Sequence, residues 1–186
     1  MRKLSVFNQV SLDGYFTDAH GDMSWAHRSD PEWDAFVVDN AKNADGVLLF
    51  GRITYEMMAS FWPTPLAKQR MPEVAEGMNN LSKVVFSRTL DEATWSNTKL
   101  VKTDMLDEVR ALKAGAGNGI TIMGSGTLVS QLTQARLIDE YQVVVNPIVL
   151  GSGRSMFEGV AERLKLTRTL TRPFRNGNVV LTYEPA

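Results

Sequence analysis

The sequence predicts an α/β fold: one mixed, mostly parallel sheet of about eight strands that ends in an antiparallel hairpin. Three observations carry this expectation. Short apolar runs alternate with segments whose apolar residues recur at helical spacing, the pattern of helices packed on a sheet. Several of the runs lead directly into Gly-containing turns that open helices. The tail then changes character: Leu164 to Leu170 and Val179 to Tyr183 alternate on either side of Asn176-Gly177, a strong hairpin turn.

The elements follow in order. Lys3 to Val10 reads as the first strand, and a polar loop from Ser11 to Ser29 is long enough to carry function. Asp30-Pro31-Glu32 opens a helix with an N-cap, a first-turn proline and an acid at the positive dipole end. Trp33, Phe36, Val37, Ala41 and Ala44 form its apolar stripe. Val47 to Phe50 reads as a buried central strand ended by Gly51. Tyr55, Met58, Ala59 and Trp62 then mark a helix that Pro63 and Pro65 stop. Past a Pro-rich excursion to Pro72, strands are expected over Lys83–Ser87 and Thr98–Val101, and a helix from Met105 to a C-cap at Gly115. Ile120–Met123 is a strand, Thr127–Ala135 a helix and Tyr141–Leu150 a long strand.

At 186 residues the chain suits one domain over 1–186, a size that buries roughly 70% of the extended-chain surface. Twenty Lys and Arg balance 21 Asp and Glu, which argues against nucleic-acid or anionic-membrane partners. The absence of cysteine removes disulfides, thiolate catalysis and Cys-ligated zinc. His20 and His27 have no metal-binding spacing, so no metal is expected. The N-terminal apolar stretch is too broken for a signal peptide or a membrane span, which makes the cytoplasm the expected location.

Three strand ends run into glycine turns suited to a phosphate, because helix N-terminal N–H groups offer donors and partial positive charge. In Phe50-Gly51-Arg52-Ile53-Thr54 a strand stops at glycine beside a cation and a hydroxyl; the same residues also suit a plain turn with a solvated Arg52. Met123-Gly124-Ser125-Gly126-Thr127-Leu128 has two glycines of a dinucleotide fingerprint but Val129 in place of the third, so cradle and plain turn both stand. Gly151-Ser152-Gly153-Arg154 precedes no strong helix and reads first as a tight turn. Ser87-Arg88 ends a strand where an Arg holds a 2′-phosphate in some nucleotide sites, or is an isolated surface cation.

Taken in order, these segments resemble the dihydrofolate-reductase-like superfamily. The nearer likeness is to the C-terminal reductase domain of the riboflavin-biosynthesis protein RibD, in stand-alone form. Its carriers are Ser11-Leu12-Asp13-Gly14, Leu49 to Glu56, Val84 to Arg88, Ile122 to Leu128, and Leu137-Ile138-Asp139-Glu140 leading to Pro147-Ile148-Val149-Leu150-Gly151. The resemblance implies a three-layer fold, a homodimer and NADPH across the strand ends. It would place Gly51, Arg52 and Thr54 at the cofactor phosphates and Ser87-Arg88 at the 2′-phosphate. Gly124, Ser125, Gly126, Thr127 and Leu128 would cradle the pyrophosphate, with Gln9 and Val10 bordering the nicotinamide. Ser125 departs from the family's usual Gly-Gly pair, and no deaminase domain accompanies the reductase segment.

Hydride transfer needs a proton source near the acceptor. Asp13 stands where the RibD-like motif places substrate, and Asp-Gly is equally a turn pair. Trp25 and Asp30 reproduce the spacing of loop Trp and helix-start acid in dihydrofolate reductases, although Asp30 is already accounted for as an N-cap. Asp34 is a fallback acid; Trp25, Phe50 and Trp62 are candidates to line a pocket for a flat ring, although Phe50 and Trp62 read equally as core side chains. Arg28 and Arg154 are weak candidates for a substrate phosphate. The expected activity is NADPH-dependent reduction of a small heterocycle, most concretely 5-amino-6-(5-phosphoribosylamino)uracil. Dihydrofolate or pterin reduction is one alternative, and a non-catalytic dimeric nucleotide-binding module is another.

Overall fold

A computed structural model describes residues 1–186. Its eight-stranded sheet has the order β5-β4-β3-β6-β1-β7-β10-β9. The strands are β1 (Leu4–Ser11), β3 (Val47–Gly51), β4 (Ser82–Phe86), β5 (Thr98–Val101), β6 (Ile120–Met123), β7 (Glu140–Asn146), β9 (Leu166–Pro173) and β10 (Val179–Pro185). The first six in spatial order run parallel, while β10 pairs antiparallel with both β7 and β9. Parallel neighbours need crossovers, and helices supply most of them. These are α1 (Pro31–Asn43), α2 (Arg52–Phe61), α3 (Pro65–Arg70), α4 (Pro72–Asn80), α5 (Met105–Ala114) and α6 (Gly126–Gln134). A separate two-stranded sheet joins β2 (Tyr15–Thr17) to β8 (Arg154–Ser155).

The helices form layers on both faces, as the alternation of strand side chains requires. Leu4, Val6 and Val10 of β1 join Leu49, Ile120 and Ile122 in a core completed by Val109 of α5 and Leu128, Val129 and Leu132 of α6. On the opposite face Val144 and Val180 meet Trp33 and Phe36 of α1 and Phe174, with Phe7 packed against them. Leu48, Phe50 and Val85 complete that face against Tyr55, Val74, Met78 and Trp95. The mixed, mostly parallel α/β sheet with a C-terminal antiparallel hairpin is therefore present.

Three local expectations need correction. The strand expected to reach Leu150 stops at Asn146, because Pro147 has no N–H to continue the ladder. The segment from Pro63 to Pro72 is not an irregular excursion: Pro65 and Pro72 each start a helix at its first turn, where the missing N–H costs nothing. Thr64 caps the first of these, its hydroxyl accepting from Ala67 N at 3.2 Å. Ala44 falls off the buried stripe of α1 and becomes its exposed C-cap.

Candidate functional site

Parallel register brings the expected phosphate turns together at the C-terminal edge of the sheet. Gly51 lies level with Phe86 on the neighbouring β4, and Phe7 of β1 lies level with Met123 of β6. Ser87-Arg88, Gly51-Arg52, Gly124-Ser125 and Gln9-Val10 therefore follow one another across adjacent strand ends, each step about 4.8 Å.

Two of the turns are tied together. The Ser125 hydroxyl accepts from Gly51 N at 2.7 Å and donates to Thr54 Oγ1 at 3.0 Å, and Ser125 N also donates to Thr54 Oγ1 at 3.2 Å. By sequence Ser125 is a departure from a glycine pair. In the fold it is the bolt between the β3–α2 and β6–α6 turns. Gly124 and Ser125 both have left-handed backbones, at φ 61° and 57°. A Cβ on Gly124 would stand 2.9 Å from Thr54 Cγ2, so only glycine allows this approach.

The helix starts created here have no side-chain cap. Neither α2, capped by Gly51, nor α6, capped by Ser125, has a side chain accepting its first-turn N–H groups. Two sets of orphan donors and two positive dipole ends thus lie side by side. Thr127 is exposed beside them, while Leu128 and Val10 are core side chains that offer the edge only their backbone. Arg52 pairs with Glu56 at 2.9 Å on its own helix, so a phosphate would have to share it. The Ser87 hydroxyl accepts from Thr89 N and Leu90 N and shapes the turn. Arg88 is exposed and makes no ion pair or side-chain hydrogen bond within the chain. This donor set fits a diphosphate with a further phosphate at the Arg88 end.

The acids separate clearly. Asp13 accepts from Leu150 N at 3.1 Å through Oδ1 and from Gly151 N at 2.7 Å through Oδ2. It clamps the loop after β7 to the loop after β1. Hydrogen bonding from the Ser11 hydroxyl, then from the Gly151 and Leu150 N–H groups, holds its carboxyl below the usual range. Asp30 caps α1, with Oδ1 accepting from Glu32 N at 3.0 Å and Trp33 N at 3.3 Å. Its Oδ2 makes no hydrogen bond within the chain. Asp34 accepts from the Ser29 hydroxyl at 2.7 Å.

Phe50 needs correction as a pocket residue. It has no exposed surface and packs against Trp95 at 6.0 Å between ring centres, because alternation along β3 turns it into the core. Trp25 is half-buried in a 3-10 turn, with Nε1 donating to Asp22 O at 3.0 Å. His27 and Arg28 are exposed, and Arg154 lies over the Phe16 ring at 5.9 Å. Gly153 has φ 155° and packs on Thr17 O, which leaves its turn a structural one. The residues missed from sequence are Asn146 and Asn178, both fully buried at the ends of β7 and the C-terminal hairpin. A polar residue closing the apolar run Val143-Val144-Val145 was the available signal for the first.

The chain is similar to known proteins over nearly its whole length. The model of the family described as RibD C-terminal domain matches residues 2–180. The uncharacterized protein YyaP of Bacillus subtilis is 28% identical over 182 residues, covering 98% of this chain and 94% of YyaP. A putative riboflavin biosynthesis protein from Shewanella superposes with a TM-score of 0.75 at 23% identity, over 99% of both chains. A Thermotoga maritima diaminohydroxyphosphoribosylaminopyrimidine deaminase/5-amino-6-(5-phosphoribosylamino)uracil reductase gives 0.70 at 16%, over 100% of this chain and 57% of that one. Enterococcus faecalis dihydrofolate reductase, solved with NADP(H), gives 0.63 at 15%, over 98% of this chain and 96% of that one. These similarities make the fold dihydrofolate-reductase-like, and with nearly the whole length matched the chain belongs to the RibD C-terminal domain family.

Proposed function

We propose that residues 1–186 act as one unit, an NADPH-dependent reductase of a small heterocycle, most concretely of the 5-amino-6-(5-phosphoribosylamino)uracil type. The observation that carries this reading is the pair of uncapped helix starts bolted together by Ser125, with the unpaired Arg88 two strands away. Family membership supports it, and the similar Thermotoga protein is named for that reduction.

The first-turn N–H groups of α2 and α6 would hold the pyrophosphate, and Arg88 the 2′-phosphate. When bound, NADPH supplies the hydride. The protein's own part is to position the acceptor at the end of β1 and to bring a proton to it. Asp30 Oδ2 is the oxygen left to hold a substrate N–H or to pass on a proton. Asp13 has both oxygens engaged by loop N–H groups, which makes it a positioning residue. We also expect a homodimer acting in the cytoplasm; light scattering would give twice the 20.7 kDa chain mass. No helix is long and apolar enough to cross a membrane.

Titration of the purified protein with NADPH and NADH tests the cofactor. Tight, salt-sensitive binding of NADPH alone is expected, and binding of neither would end the reductase reading. The engagement of Asp13 and Asp30 by backbone N–H groups favours one second reading, a nucleotide-binding module without turnover. Single-turnover oxidation of bound NADPH with pyrimidine and dihydropterin substrates separates the two, and success with dihydrofolate alone would reassign the substrate.

A further inference from the structure

The last strand in the sheet order, β9, is an uncovered edge. It pairs only with β10, and all eight of its residues, Leu166 to Pro173, are exposed. Such an edge presents a row of N–H and C=O groups to which another strand can pair. The register sets its side chains. Arg172 lies across from Val180 and Leu170 across from Thr182, while Arg168 lies across from Tyr183 and Leu166 across from Pro185. Val180 belongs to the α1 face, and Tyr183 packs against the core on the α6 face. The bulge between Thr182 and Tyr183 therefore gives each face of β9 one leucine and one arginine, two residues apart.

The charge along this edge has one sign. Residues 163–175 hold five of the chain's 20 Lys and Arg and none of its 21 Asp and Glu. Arg172 is anchored, 5.1 Å and 4.8 Å from the Phe36 and Phe174 ring centres and 3.8 Å from Glu32. Arg163, Lys165, Arg168 and Arg175 are exposed and make no ion pair or side-chain hydrogen bond within the chain. Glu184, the acid of β10, lies across from Thr167 and is taken by Lys3 at 3.0 Å. Cations on an edge repel a second copy, because like charges directly opposite one another in a sheet are unfavourable. Repulsion alone does not call for Leu166 and Leu170, which are 38% and 46% exposed.

We propose that β9 is a docking edge for an extended acidic segment of another protein, which adds a ninth strand to the sheet. Main-chain pairing gives the segment its register, and its apolar side chains cover Leu166 and Leu170. Its carboxylates meet Arg168 and Arg172, with Lys165 and Arg175 at the two ends of the strand. A nucleic acid fits less well: it has no use for strand N–H and C=O groups, and β9 carries no aromatic side chain for a base. The edge stands three strands beyond β1, so docking leaves the nucleotide turns free.

The test is fluorescence anisotropy on the full chain with a labelled peptide, Glu-Thr-Val-Thr-Glu-Thr-Val, and a counterpart with lysine at both Glu positions. Hydrogen exchange of the β9 amides accompanies it. The acidic peptide should bind about tenfold more tightly than the basic one, or better, and slow exchange over residues 167–171. The double variant Lys165→Glu, Arg168→Glu should lose that preference with an unchanged thermal midpoint, since both positions are exposed. A peptide with prolines at its third and fourth positions keeps both carboxylates but cannot continue a ladder, and should bind about tenfold more weakly. Equal binding of the acidic and basic peptides, or binding of neither, overturns the proposal. So does equal binding of the proline peptide, which would reduce the contact to diffuse attraction. Amides of β9 already protected without peptide, and released on dilution to the monomer, would assign the edge to a second copy and overturn it too. An oligothymidylate protecting these amides more strongly than the peptide would place a nucleic acid there and likewise overturn it. None of these outcomes depends on the reductase reading.

Discussion

Arg88 and Asp13 show how differently two charged residues at the same edge can be used. Arg88 has no partner within the chain, so its guanidinium is available to a planar anion. Arg88→Ala should weaken NADPH binding by about tenfold or more and NADH binding hardly at all, since loss of one phosphate-bonding Arg removes a charge-assisted interaction. Fluorescence titration of both nucleotides checks this, and equal losses would remove Arg88 from the site. Asp13, in contrast, is a clamp whose folded pKa lies below its ordinary value of 3.8. Its stabilising contribution is then complete above that value and is lost as pH falls through the lower folded one. Thermal unfolding of wild type and Asp13→Asn should differ at neutral pH and converge under strongly acidic conditions. A gap that stays constant with pH would show that the charge is irrelevant.

At the level of elements, the β3–α2 and β6–α6 units act as one through Ser125. Neither turn alone has a complete set of side-chain acceptors, and each supplies what the other lacks: Thr54 from the first, the Ser125 hydroxyl from the second. The close approach depends on Gly124. Gly124→Ala places a Cβ against Thr54 at a left-handed backbone and should destabilise the protein by about 1–3 kcal/mol. Denaturant unfolding measures the loss, and nucleotide affinity should fall with it because the two helix starts move apart. An unchanged midpoint would mean that the turns are not coupled.

Across the whole molecule, the sheet divides its two ends between stability and function. The C-terminal ends of the parallel strands carry the helix starts that lack a side-chain cap. The opposite end carries Lys83, which is 1% exposed and donates to Leu81 O at 2.6 Å, Ser96 O at 3.1 Å and Asn79 O at 3.2 Å. It thereby closes the C-terminal end of α4, with its ammonium 4.5 Å from the Trp95 ring centre. Burial pushes its pKa from 10.5 to about 8. Folding thus disfavours the charged form, and the penalty is complete below pH 8. It is relieved as pH rises from about 8 toward 10.5. The stability of wild type relative to Lys83→Met should rise over that window, read from urea midpoints. A flat difference would show that the ammonium is fully compensated by its three carbonyls.

By itself the sequence determined most of the strands and helices, though not α3, α4 or the β2–β8 pair, because hydrophobic period, proline position and caps act locally. Asp30-Pro31 starts α1 and Asn176-Gly177 turns the last hairpin whatever surrounds them. The local signals also located the glycine turns of the edge. They could not decide which side chains would be free. Asp13 is engaged from a segment more than 130 residues away, Phe50 is turned inward by strand alternation, and Ser125 finds its partner in another turn. The buried amides of Asn146 and Asn178 depend on cross-strand register, which no local pattern encodes. Local chemistry determined the elements; only the tertiary structure decided which polar groups were spent on the fold and which remained for a ligand.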